Sequence, residues 1–223
     1  MEDGKQMNKL NILYEDNHII VVEKPYNILS QSDITGDNDL LSMVKAYIKK
    51  KYNKPGNVYL GLVHRLDRPV GGIMVFARTS KAASRLSDQV RSKSFVKKYY
   101  AIVFGKVNSS TYVDNLERLD NGNTIVSSKG KESILSFDAV DYNEKNNCSL
   151  VDISLKTGRH HQIRVQFASR GHYLLGDQRY GVEDKTQIAL FAYYLSFIHP
   201  VTKEVMEFRL LPEKIGHWTK FTM

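Results

Sequence analysis

The sequence predicts a mixed α+β fold built on a largely antiparallel β-sheet with flanking helices. Short β-branched or alternating runs recur along the chain and are joined through brief polar turns, the pattern of hairpins. Two windows carry apolar residues at helical spacing behind a capping residue. A 42% hydrophobic content in 223 residues suffices for a proper core. The expectation is one domain over residues 11–223 behind a flexible tail at residues 1–10.

Composition narrows the setting. Thirty-two Lys and Arg against 24 Asp and Glu leave a formal charge of +8, which suits a polyanionic partner. The single cysteine, Cys148, permits no internal disulfide and points to a reducing compartment. No run of ~18 apolar residues would span a bilayer, and Met1 to Lys9 lacks the apolar core of a signal peptide. A cytoplasmic protein without a membrane partner is expected.

The elements follow in order. Ile12-Leu13-Tyr14 leads through Glu15-Asp16-Asn17 to His18–Lys24, a strand that ends at Pro25 because proline cannot donate to the ladder; Lys24 reads as an ordinary strand-end lysine. Asp37-Asn38-Asp39 offers a cap for a helix with Leu40, Leu41, Val44, Tyr47 and Ile48 at helical spacing, stopped by Pro55-Gly56. Its outer lysines, Lys45, Lys49, Lys50, Lys51 and Lys54, read as a solvated face or a contact to a polyanion. Tyr59 to Val63 and Ile73 to Ala77 have the length and content of buried strands.

Thr79 or Ser80 caps a second helix with Ala82, Ala83, Leu86 and Val90 as its buried stripe. Ser94 to Gly105 is a strand entered through Lys97 and Lys98, with Tyr99 and Tyr100 on opposite faces and Tyr100 expected in the core. Lys106 to Lys131 reads as loops and a weak hairpin. Glu132–Tyr142 and Cys148–Lys156 read as an antiparallel pair, and Ile188–Ile198 with Val205–Leu211 closes as a hairpin about His199–Glu204.

Chemistry concentrates between the strands at 59–63 and 73–77. Asp67 stands among Arg65, Arg68 and His64, and neighbouring cations favour its ionised form. An ionised, positioned Asp can act as a nucleophile or general base; the same pattern also describes a surface turn whose Asp pairs with an Arg.

His64-Arg65-Leu66-Asp67, followed by a glycine turn and an apolar strand, resembles the signature of the RluA-type pseudouridine synthases, which isomerise uridine to pseudouridine in ribosomal or transfer RNA. Further motifs follow in order. Lys24-Pro25 with Ile28-Leu29 resembles the family's opening; Tyr99 with Ala101 resembles its second motif; Gly158-Arg159 followed by His161-Gln162-Ile163-Arg164 resembles its third. Gly171-His172, Gly176-Asp177 and Tyr180-Gly181 continue the match. The resemblance implies a pseudouridine synthase fold with a central catalytic cleft. It implies Asp67 as nucleophile, Tyr99 as the platform for the target base, Arg164 as the residue that orients Asp67, and Arg65 in the space the flipped base vacates. His64, Arg65, Arg68, Arg159, His161 and Gln162 make up the expected RNA-binding set, Arg159 as a phosphate contact and His161 and Gln162 through supporting hydrogen bonds. Neither cofactor nor metal is implied, RNA is the partner, and no obligatory protein partner is evident.

Two departures stand out. Val70-Gly71-Gly72 replaces the family's usual Thr-Ser-Gly, losing two hydroxyls that could brace the loop, and His160 stands where a Thr or Ser is usual. The family's frequent N-terminal S4 domain has no counterpart here, so substrate choice is expected from the catalytic domain itself. Two alternatives remain at this stage, a non-catalytic RNA-binding protein and a hydrolase of N-glycosidic bonds that would release free base.

Overall fold

The computed structural model describes residues 10–33 and 36–222; the expected tail falls almost wholly outside them. Strand β1 (Ile12–Glu15) turns into β2 (Ile19–Lys24), with Asp16 Oδ1 accepting from the His18 and Ile19 amides, both at 2.7 Å, so the Asx turn fixes the hairpin. Helix α1 (Leu40–Lys51) is capped by Asp39, whose side chain accepts from Ser42 N, and buries Leu40, Val44 and Ile48. Then come β3 (Gly61–Leu62), β4 (Gly71–Ala77) and α2 (Ser80–Arg91), capped by Thr79. The remaining elements are β5 (Val96–Phe104), β6 (Ser110–Arg118), β7 (Thr124–Val126), β8 (Lys131–Asn143), β9 (Cys148–Leu155), α3 (Gln162–Ala168), β10 (Leu190–Ile198) and β11 (Val205–Arg209).

The strands join in the order β1-β2-β4-β10-β5-β9-β8-β6-β7, with β11 on β10 and β3 on β4. Every pairing is antiparallel except β4 with β10. Ile20, Val22, Met74, Phe76, Tyr99 and Ala101 pack with α1 and α3 on one face, while Ile19, Val21, Ile73 and Val75 pack with α2 on the other. Both faces of β2 and β4 are thus buried, which explains their unbroken apolar runs.

Three expectations are corrected. The strand read over Tyr59 to Val63 shrinks to Gly61–Leu62, because β10 and β3 share one edge of β4 and the gap between them is closed by a side chain: Val75 N donates to His64 Nε2 at 3.1 Å. The weak hairpin read over Lys106 to Lys131 is present as β6 paired with β7, but much of the segment read as loop is the nine-residue β6. Its alternation is hidden because one inward position is Asp114, which accepts from Gln166 and Arg170. Lys24 is no ordinary strand-end lysine but is fully buried. Tyr99 and Tyr100 do lie on opposite faces, with Tyr99 the more buried and Tyr100 stacked on Tyr193 at 4.0 Å between ring centres.

Candidate active site

The loop from His64 to Val70 crosses a cleft of about 2000 Å³ and is tied down on all sides. Ser30 Oγ donates to Leu66 O at 2.7 Å and accepts from Leu66 N at 3.1 Å. Val70 N closes a turn onto Asp67 O at 3.0 Å. Lys24 Nζ donates to the carbonyls of Pro25 and Arg68, both at 3.0 Å, and Gln187 Nε2 donates to Pro69 O at 2.6 Å. The hydroxyls missing at Val70 and Gly71 are therefore not needed to brace the loop.

Glycine is required at 72 on other grounds. Its φ is +130°, and a Cβ there would stand 2.4 Å from Ala192 O, where β10 runs alongside. Only a residue without a side chain lets the two strands meet.

Asp67 is partly exposed in this cleft. Its ionic neighbour is neither adjacent arginine: Arg68 pairs with Asp37 at 2.8 Å, and Arg65 is exposed on the cleft rim. The neighbour is Arg164, ninety-seven residues away, whose Nη1 lies 3.5 Å from Asp67 Oδ2. Arg164 is itself buried and held in a bidentate pair by Asp177, Nε to Oδ2 at 2.8 Å and Nη2 to Oδ1 at 2.7 Å. Asp177 is fixed in turn by the amides of Arg179 and Tyr180. The Arg164 pKa is pushed up by Asp177 and then Asp67, which outweigh the larger opposing effect of burial.

His161 sits at the start of α3 with φ +52°, a left-handed conformation that turns its ring out of the helix. Its Nε2 lies 3.7 Å from Asp67 Oδ2, and its Nδ1 shares a 2.7 Å hydrogen bond with Tyr180 Oη. Burial, then the charge of Arg164, pushes its pKa down to about 2, so the imidazole is neutral and the contact with Asp67 is not an ion pair. His160 stacks on it at 3.6 Å between ring centres and bonds Thr124 Oγ1 at 2.8 Å, joining the β7 hairpin to the site.

Tyr99 lines the same cleft, 5% exposed. Burial, with the charge of Asp67 adding to it, raises its pKa well above the ordinary phenol value, which keeps it protonated. Lys24 carries the opposite perturbation: burial pulls it down to about 7, although the Asp67 carboxylate favours its charged form.

Two members of the expected RNA-binding set face inward. His64 is buried and Nε2 serves Val75; burial, then the charge of Lys97, lowers its pKa to about 3, and Nδ1 is buried as well, leaving no polar atom for a strand outside. Gln162 is buried with its Oε1 accepting from Thr157 Oγ1 and Arg159 N and its Nε2 donating to Gln166. Its side chain shapes the turn. Arg159 is exposed, with only Nε donating to Glu132 O at 3.1 Å. Lys24, Asp177 and Tyr180 stand in matched motifs but were given no role at the site, and Ser30 and Gln187 were not singled out; a polar residue at an inward position, Lys24 in β2 above all, was the available signal.

The RNA pseudouridylate synthase family model matches residues 18–169. The chain belongs to this family. The synthase is 34% identical over 208 residues to an RNA pseudouridine synthase of Bacillus subtilis strain 168, covering 90% of this chain and 68% of that one. It is 33% identical over 217 residues to ribosomal large subunit pseudouridine synthase D of Zymomonas mobilis, covering 89% and 68%. Its fold is shared with the human RNA pseudouridylate synthase domain containing 4 structure, with a TM-score of 0.77 at 19% identity over 94% of this chain and 90% of that one. As a member of this family the synthase is an isomerase acting on RNA. No helix among the described residues is long and apolar enough to cross a membrane, and no cluster of three or more His, Cys, Asp or Glu among them would hold a metal ion.

Proposed function

We propose that this synthase isomerises specific uridines of ribosomal or transfer RNA, with Asp67 as nucleophile, and the names of its relatives favour ribosomal RNA. The observation that carries the reading is Asp67 in an open cleft, facing the one guanidinium nitrogen of Arg164 that Asp177 does not use, beside a protonated tyrosine. The target uridine is flipped from the strand, and its base rests on Tyr99 while Arg65 occupies the vacated space. Asp67 attacks ribose C1′ or uracil C6, the N1–C1′ bond breaks, the base rotates, a C5–C1′ bond forms, and the C5 proton leaves.

The remaining groups have supporting roles. Arg164 orients the carboxylate and stabilises its charge when it departs. Tyr180 Oη already accepts from Thr124 N, so its own hydrogen goes to His161 Nδ1, and the tautomer with hydrogen on Nε2 then faces Asp67. Arg65, Arg68 and Arg159 are the candidates for phosphate contacts at the rim. In this reading residues 11–223 act as a single catalytic domain that needs no protein partner, and a ribosomal RNA substrate, with the lone Cys148, favours a cytoplasmic enzyme.

The test is tritium release from RNA labelled at uridine C5. The wild type releases tritium and no free base, while Asp67→Asn and Asp67→Ala release none yet fold and bind RNA nearly as the wild type does. Residual turnover in a pure variant refutes the assignment of Asp67. A variant that matches the wild type in every assay favours a non-catalytic RNA-binding protein, and free base in the products favours hydrolysis.

A further inference from the structure

Lys97 has no part in the machinery described above. It precedes Tyr99 by two residues on β5, so both side chains point to one face, roughly 7 Å apart along the strand, and both line the cleft. Its side chain is partly buried, and among the described residues it forms neither an ion pair nor a hydrogen bond that would offset its lost hydration. Asp33, Asp67 and Asp177 line the same cleft, but burial rather than any carboxylate governs the Lys97 ammonium, whose pKa is lowered. The neutral imidazole of His64 is near enough to feel its charge, and a Cβ added to Gly158 would lie 3.5 Å from Nζ. Lys93, Lys156 and Arg159 line the same cleft.

A half-buried ammonium that reaches the cleft without a protein partner is placed to take an anion entering from the cleft. A uracil carbonyl is neutral and would be served by a neutral donor. An RNA strand brings one full negative charge per nucleotide, and one pleat of β5 matches the reach from a base to its own backbone. We propose that Lys97 forms an anion subsite for the phosphodiester of the nucleotide whose base lies on Tyr99. This rests on the reading that RNA enters the cleft at Asp67. The subsite adds a contact from the sheet itself to those at the rim, and it fixes the target nucleotide at both ends.

The experiment compares wild type, Lys97→Met, Lys97→Arg and, as an exposed control, Lys81→Met. Each is studied for thermal stability without RNA and for binding of a labelled uridine-rich single-stranded RNA over a range of salt, alongside tritium release by the wild type. Lys97→Met should melt no lower than the wild type, since the half-buried ammonium has no protein partner to lose. It should bind the RNA at least tenfold more weakly, with the slope of log Kd against log salt shallower by about 0.7, the value for one phosphate contact on a single strand. Lys97→Arg should retain the slope, and Lys81→Met should match the wild type throughout. A Lys97→Met protein that melts lower and binds with unchanged affinity and slope makes Lys97 a structural residue and overturns the proposal, even where the wild type releases tritium. A wild type that neither binds RNA nor releases tritium overturns the functional reading and this subsite with it.

Discussion

Arg164 is shared unequally between two carboxylates, with Asp177 holding it through two parallel bonds of 2.7 and 2.8 Å and Asp67 meeting its remaining nitrogen at 3.5 Å. The bidentate pair sets the plane of the guanidinium, so one nitrogen is aimed before any substrate arrives. Asp177 thus positions Asp67 through a residue that both contact.

Asp177→Asn should therefore damage both stability and turnover. Removing one partner of a buried, hydrogen-bonded ion pair costs about 3–5 kcal/mol. The urea midpoint should fall accordingly, and kcat for tritium release should drop at temperatures where the variant is still folded, with KM changed less. A variant of normal kcat would show that the orientation of Arg164 does not matter to turnover.

Lys24 makes a prediction about pH. Its folded pKa is pulled down to about 7, while the unfolded chain keeps the ordinary value near 10.5. Between those values the unfolded state binds the extra proton, so this group raises stability as pH rises from 7 to about 10.5, by roughly 1.4 kcal/mol per unit at most. Below pH 7 lysine is protonated in both states and its contribution is flat. Denaturation across this range should give Lys24→Met a shallower rise than the wild type; equal slopes would mean that Lys24 is solvated in the native state. The same variant loses the donor to Arg68 O and should turn over more slowly.

Gly72→Ala should be among the most damaging single-methyl additions in the chain. The new Cβ meets Ala192 O at 2.4 Å in a left-handed backbone, which combines overpacking with conformational strain for about 3 kcal/mol or more. Gly71→Ala meets the rings of Tyr26 and Phe191 at 3.0–3.1 Å, where a small shift can accommodate it. Denaturant midpoints of the two variants should rank in that order.

Much of the fold was legible because its elements announce themselves locally. Asp39 and Thr79 cap their helices through the side chain, Asp16 fixes its hairpin, and the apolar runs of β2 and β4 need no distant partner to be read as buried. Asp67, Tyr99 and Arg164 came from resemblance, and the structure brings all three to one cleft, with Arg164 contacting Asp67 as expected. The supporting contacts were not legible, since they depend on pairs such as Lys24 with Arg68 O or Gln187 with Pro69 O, which sequence spacing does not encode. The burial of His64 and Gln162 was not legible either, because polarity alone does not say which way a side chain faces, although the supporting hydrogen bonds expected of Gln162 are present.

The position of β10 has a consequence for how the enzyme comes into being. This strand is made late in the chain yet lies at the centre of the sheet, between β4 and β5, and its neighbouring segment supplies Asp177 and Gln187 to the site. A nascent chain that has emerged only as far as α3 holds Asp67 and Arg164 but lacks the strand that seats one and the carboxylate that aims the other. Such a chain holds an incomplete site. The site is completed only when β10 and the segment before it have docked, through contacts of long sequence separation, the kind whose closure is slow.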